Sequence, residues 1–91
     1  MIEVSVTKEF EKRYKKLPIS IKQKAEKREK LFKENFLYPS LHTEKLNPRH
    51  KQVWSFRIDK QYRIIFKFIK PNKALFLTIG HHSWIYRYTY N

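Results

Sequence analysis

The sequence contains no cysteine and only one glycine. The missing cysteine excludes a disulfide framework, a thiolate-ligated zinc site and a thiolate nucleophile. Acidic residues are also scarce: eight Asp and Glu stand against 21 Lys and Arg, a formal net charge of +13. No apolar run is long enough to cross a bilayer. The N-terminal MIEVSVTKEF has neither the basic region nor the apolar region of a signal peptide. A cytoplasmic protein is expected, with no membrane partner.

What is present suffices for one small core. Over 91 residues the hydrophobic fraction is 41% and the aromatic fraction 16%, which suits a single domain spanning 1–91. A charge of +13 opposes compaction. Such an excess is tolerated when a polyanion is the partner, either nucleic acid or an acidic protein that masks the charge.

Hydrophobic periodicity sets the order of elements. Ile2, Val4 and Val6 alternate with Glu3 and Ser5, as in a strand with one buried face. Thr7 is placed to cap a helix, with Glu9 and Glu11 in its first turn. Phe10, Tyr14 and Leu17 recur at helical spacing until Pro18 stops them. Ser20 and Gln23 fit a capping box for a second helix. Ile21, Ala25 and Phe32 mark its inner stripe, and lysines cover much of the rest. The stretch NFLYPSLHTEKLNPRHKQ has no period and reads as a long connection anchored by Leu41 and Leu46. Three alternating runs follow, joined by turns short enough for hairpins. The expected fold is α+β: a compact β-α-α-β-β-β chain with an antiparallel sheet and a helical hairpin on one face.

Strand parity places residues together. A three-residue turn at 59–61 sets Ile58 opposite Tyr62, Phe56 opposite Ile64 and Trp54 opposite Phe66, which keeps the apolar sets on one face. The same register puts Arg57 opposite Arg63, an unfavourable pairing that invites an anion. Glu44 and Asp59 are the carboxylates otherwise available to neutralise Arg57. In the next hairpin, Phe66 opposite Leu77 and Ile64 opposite Ile79 bring Gly80 opposite Arg63. A strand glycine marks a close approach by a ligand or by backbone. His81 reads as structural or edge-facing. His82 falls beside the arginines if the strand continues; if the chain turns helical, His82 and Tyr86 share a helical face.

Arg57, Arg63, His82 and Tyr86 suit an RNA phosphodiester. Arginines stabilise charge developing on a pentacoordinate phosphorus. Histidine can move the proton of a 2′-hydroxyl or of a leaving 5′-oxygen, and tyrosine can stack on a base. Each has a plainer reading, as a solvated strand arginine or a packed histidine–tyrosine pair. His42 and His50, by position alone, read as ordinary loop residues. No metal or cofactor is signalled.

The pieces FEKRYKKLP, YPSLHTEKL, WSFRIDKQYRIIF and LTIGHHSWIYR, in that order, resemble the RelE/ParE superfamily of bacterial type II toxins, most of all its RelE and YafQ branch. The resemblance implies a RelE-like fold, an acidic antitoxin partner, and metal-independent cleavage of mRNA in the ribosomal A site by attack of the 2′-hydroxyl. It implies catalytic roles for Arg63, His82 and Tyr86, and RNA binding by Lys45, Arg49 and Lys51; Arg57 joins the RNA-binding set from its place opposite Arg63. The general base is left open among His82, His50 and Glu44. RelE itself has no histidine at the position of His82, which turns the expected mechanism toward YafQ. Two other functions fit the same sequence: a ParE-like inhibitor of DNA gyrase, and a non-catalytic RNA- or ribosome-binding protein.

Overall fold

The computed structural model describes residues 1–46 and 53–87. The elements are β1 (Glu3–Val6), α1 (Lys8–Lys15), α2 (Ile19–Glu34), a 3-10 turn (Pro39–Leu41), β2 (Glu44–Lys45), β3 (Val53–Arg57), β4 (Tyr62–Lys70), β5 (Lys73–His81) and α3 (His82–Ile85). Five strands form one sheet in the order β1-β5-β4-β3-β2. The β-α-α-β-β-β frame is therefore present, with two additions. The aperiodic connection contains the 3-10 turn and the edge strand β2, and the chain ends its sheet in α3. Leu41 anchors that connection, fully buried.

Thr7 ties the first elements to the last strand. Its hydroxyl accepts the Phe10 N–H at 3.0 Å, capping α1, and donates to the Leu77 carbonyl at 2.7 Å. β1 runs parallel to β5, with Val4 beside Ala74 and Val6 beside Phe76, so the sheet is mixed where an antiparallel one was expected; the two helices carry the chain across between β1 and the meander. The expected capping box at Ser20 does not form. α2 begins at Ile19 with Pro18 as its cap, and no side chain caps it. The Pro18 carbonyl already accepts the N–H groups of Ile21 and Lys22, so Ser20 lies inside the first turn. The two helices are joined by Tyr14, whose hydroxyl donates to the Lys22 carbonyl and the Glu26 carboxylate, each at 3.4 Å.

The β3–β4 register is the one that parity predicts, from Trp54 opposite Phe66 through Arg57 opposite Arg63. The β4–β5 register agrees at Arg63–Gly80 and Ile64–Ile79, then departs from expectation. Ile65 pairs with Thr78 and Phe66 with Phe76, so Leu77 is the extra residue of a bulge. Phe66 thus does not meet Leu77. The bulge exchanges the faces of β5: Ala74, Phe76 and Ile79 enter the core, while Leu75 and Leu77 are half-buried.

Phe32 of α2 is the centre of that core. Its ring lies 4.9 Å from Phe56, 4.8 Å from Phe66 and 5.3 Å from Phe76, centroid to centroid. One helix residue therefore contacts three successive strands. The stripe of Phe10, Ala25 and Phe32 forms the helical side of this layer. The opposite face of the sheet also holds buried residues, among them Ser55, Ile65 and Thr78.

Candidate functional site

The β3–β4 turn is organised by Asp59. Its carboxylate accepts the N–H groups of Gln61 and Tyr62, both at 2.8 Å, and lies 3.3 Å from the Lys24 ammonium. Burial alone would raise the Asp59 pKa. The two N–H bonds and Lys24 outweigh it, so the carboxyl ionises below the usual aspartate value. A depressed folded-state pKa adds stability above the unfolded value of about 3.9, lost as pH falls through the lower folded value. Wild type should therefore lose stability relative to Asp59→Asn as acid is added below about pH 4. Urea unfolding of both proteins from pH 6 down to about pH 2 checks this; parallel curves would refute it.

The backbone of the same residue holds the central arginine. Arg63 is only 9% exposed. Its Nη1 donates to the Asp59 carbonyl at 2.9 Å and the Tyr62 carbonyl at 3.2 Å. Among the described residues no carboxylate pairs with it. Arg57 is directly opposite in the ladder but exposed. The two guanidiniums thus share a register position and differ in environment. Neither Glu44 nor Asp59 forms an ion pair with Arg57 among the described residues.

α3 brings the histidines to this end of the sheet. His81 caps it, with Nδ1 accepting the Ser83 N–H at 3.0 Å. Its ring meets the Tyr62 ring edge-on at 5.5 Å and stacks on His82 at 4.5 Å. His81 is thus structural. His82 begins the helix; its ring is exposed and its N–H donates to the Gln61 carbonyl at 2.7 Å. The helical alternative for this segment is the one realised, and Tyr86 follows as the C-cap, half-buried.

The lone glycine has a role that the sequence does not announce. A Cβ at Gly80 would lie 2.0 Å from the Trp84 ring. The approaching group is therefore the indole of α3, where a ligand or backbone was the expectation. The Arg13 guanidinium lies over the same indole at 4.6 Å, and Glu9 holds Arg13 at 2.9 Å. α1 thereby braces the short helix that carries His82. Gly80→Ala is expected to displace Trp84 and cost about 1–3 kcal/mol. Urea unfolding together with indole emission measures this; an unchanged midpoint and spectrum would remove the brace.

An open groove of about 390 Å³ adjoins the turn, lined by Arg28, Ser40, His42, Arg57, Asp59 and Lys60. Arg28 Nη1 donates to Ser40 Oγ at 2.7 Å. His42 follows the 3-10 turn in the left-handed conformation, φ 47°. Arg28, His42 and Lys60 did not stand out in the sequence, because three separate elements supply them. The one available signal was the i,i+4 spacing of Lys24 and Arg28 on a helix facing the Asp59 turn.

The other predicted residues divide. Glu44 pairs opposite Ser55 in the edge strand, on the sheet face that Arg57 and Arg63 share by alternation. Lys45 pairs opposite Trp54 and alternates to the helix side. The register therefore does not bring Lys45 together with the arginines. Arg49, His50 and Lys51 lie outside the described residues. Among the described residues no group of three or more His, Asp or Glu is placed to hold a metal ion, and no helix is long and apolar enough to cross a membrane.

Comparison with known proteins gives this arrangement a family. Residues 8–82 match the model of the HigB-like toxins, described as RelE-like toxins of the type II toxin–antitoxin system HigB. No curated protein matches the sequence significantly. Among solved structures, YafQ from E. coli strain BL21(DE3) superposes with a TM-score of 0.75 at 16% identity, covering 94% of this chain and 99% of that one. A YoeB/ParE toxin from Agrobacterium tumefaciens gives 0.74 at 14% identity, covering 89% and 99%. The RelB–RelE antitoxin–toxin complex from Methanococcus jannaschii gives 0.71 at 23% identity, covering 91% and 95%. These likenesses share the sheet and helical hairpin described above, and the family match spans α1 to the start of α3: the chain belongs to the RelE-like toxins of type II toxin–antitoxin systems.

Proposed function

We propose that this toxin is a metal-independent endoribonuclease that cuts mRNA at the ribosomal A site in the cytoplasm and is held in check by an acidic antitoxin. One observation carries the reading. Arg63 is almost buried, has no carboxylate partner among the described residues, and pairs in register with Gly80, two residues before an exposed histidine. A buried cation without a counter-ion suits an anion that arrives with the substrate.

In the proposed reaction the RNA 2′-oxygen attacks the adjacent phosphorus, and the bond to the 5′-oxygen breaks. The products are a 2′,3′-cyclic phosphate and a free 5′-hydroxyl. Arg63 stabilises charge on the phosphorane. His82 moves a proton, either from the 2′-hydroxyl or to the departing 5′-oxygen. Glu44, on the arginine face, and His50 are the other candidates for general base. Tyr86 and Arg57 position the strand, with Arg49 and Lys51 as further phosphate contacts; Lys45, on the helix side of β2, could meet only a phosphate that passes the sheet edge. The +13 charge supports both partners, RNA and an acidic antitoxin. The Methanococcus jannaschii relative was solved with its antitoxin RelB, which supports the second.

Brief induction of the protein in cells, with mapping of mRNA 5′ ends, tests the reading. New in-frame ends support translation-coupled cleavage. Growth arrest with intact messages and altered DNA supercoiling would replace it by gyrase inhibition, a function the fold also accommodates. Arrest with neither change would leave a non-catalytic RNA- or ribosome-binding protein.

A further inference from the structure

We infer that the groove between α2, the 3-10 turn and the β3–β4 turn is a second phosphate-binding subsite, which holds the RNA backbone away from the scissile bond. This rests on the reading of RNA as substrate. Four basic side chains line it: Arg28, His42, Arg57 and Lys60. Its single carboxylate, Asp59, is already engaged by Lys24 and by two backbone N–H groups. The groove therefore presents cationic groups with no free acid among the described residues to neutralise them. Gathering like charges on a concave surface costs free energy until an anion enters.

The arrangement favours nucleic acid over an acidic peptide. Arg57 pairs with Arg63 in the ladder and also lines the groove. A backbone held at Arg63 thus has a continuous cationic path into the groove. Arg28 is oriented by Ser40, with Nη1 donating to both its Oγ and its carbonyl. That leaves the rest of its planar guanidinium for a bidentate contact with phosphate. A volume of about 390 Å³ falls in the range of small-ligand clefts, enough for a phosphate and part of its nucleoside.

The test uses the full chain and a short single-stranded RNA, 2′-O-methylated throughout so that it cannot be cut. Affinity is read by fluorescence anisotropy over a series of salt concentrations. Lys60→Gln and Arg28→Gln are each compared with wild type. Lys70→Gln, at the far end of β4, controls for the loss of one charge. Each groove variant should bind about fivefold more weakly at low salt. Each should also flatten the log–log salt slope by about 0.7, the counterion release of one phosphate contact on a single strand. Lys70→Gln should do neither. Slopes and affinities equal to those of wild type, or an equal loss in Lys70→Gln, overturn the subsite. So does a loss confined to binding of an acidic peptide, which would move the groove to a protein partner.

Cleavage of unmodified RNA, free or in a translating extract, is measured in parallel. A wild type that binds but never cuts, with groove variants that bind worse, would remove the nuclease and keep the subsite. Cleavage by wild type with unaltered binding by the groove variants would do the reverse. Thermal melts confirm that the variants fold; Lys60 is exposed, so its substitution leaves the core intact.

Discussion

Arg63→Ala is expected to slow RNA cleavage by about a hundred- to a thousandfold, the usual cost of removing one preorganised donor from a developing oxyanion. The reasoning starts from burial. A guanidinium that is 9% exposed gives up much of its hydration, and two backbone carbonyls replace only part of it. The Asp59 and Tyr62 carbonyls fix its position without any ligand, so little reorganisation would accompany the proposed reaction. His82→Ala should lose about a hundredfold or more, as expected for a positioned proton donor or acceptor. The two variants should differ in pH dependence. The Arg63 variant should keep the shape of the wild-type pH–rate profile, because arginine does not titrate in this range. The His82 variant should lose one limb of it. Single-turnover cleavage across pH provides both readings. Should Arg63→Ala unfold, Arg63→Lys keeps the charge, loses the planar fork, and is expected to fall between the two. Wild-type rates in both Arg63 variants would end the proposed role, and an unchanged profile in His82→Ala would end that of the histidine.

Phe32→Ala should remove about 3–5 kcal/mol of stability, the range for emptying a buried aromatic site. Domains have only about 5–15 kcal/mol of stability in total, so this is a large share of it. The variant should therefore unfold at a much lower urea concentration and arrest growth less effectively, without any change to the cationic end of the sheet. The magnitude follows from position: the ring is wholly buried and contacts aromatic rings on β3, β4 and β5. The strand rings around it cannot move in to fill the space without leaving their own strands. Ile19→Ala, at an exposed apolar residue of the same helix, should change stability by less than about 0.5 kcal/mol. Urea midpoints compare the two directly, and equal shifts would deny Phe32 its central place.

Much of this architecture could be read from the sequence because parity admits one answer where one strand face is apolar. Trp54, Phe56 and Ile58 against Tyr62, Ile64 and Phe66 allow a single in-register hairpin, and Arg57 then has to face Arg63. β5 carries no such constraint. Leu75, Leu77 and Ile79 alternate with Phe76, so both of its faces look apolar and a bulge at Leu77 leaves no trace in the pattern. β2 is two polar residues with no period. Its pairing comes from β3, and with it the placement of Glu44 and not Lys45 on the arginine face. The candidate site was legible where it lies on strands and the turn after Gly80. Its groove was not, because Arg28, His42 and Lys60 meet only through tertiary packing. The glycine was visible as an anomaly, yet the sequence could not name Trp84 as the group that needs the space.

The pairing of β1 with β5 has a temporal side. Val6 lies beside Phe76, and the Thr7 hydroxyl reaches the Leu77 carbonyl across 70 positions of chain. A nascent chain emerging from the ribosome N-terminus first cannot complete the sheet until β5, which lies between β1 and β4, has been made. Contacts so distant in sequence also slow folding, since a long loop must close before they contribute. α3, with His82, follows β5. A chain synthesised only as far as β4 consequently has neither the closed sheet nor the helix that carries His82, so the cationic end of the sheet and its histidine are brought together by the last-made of the described elements.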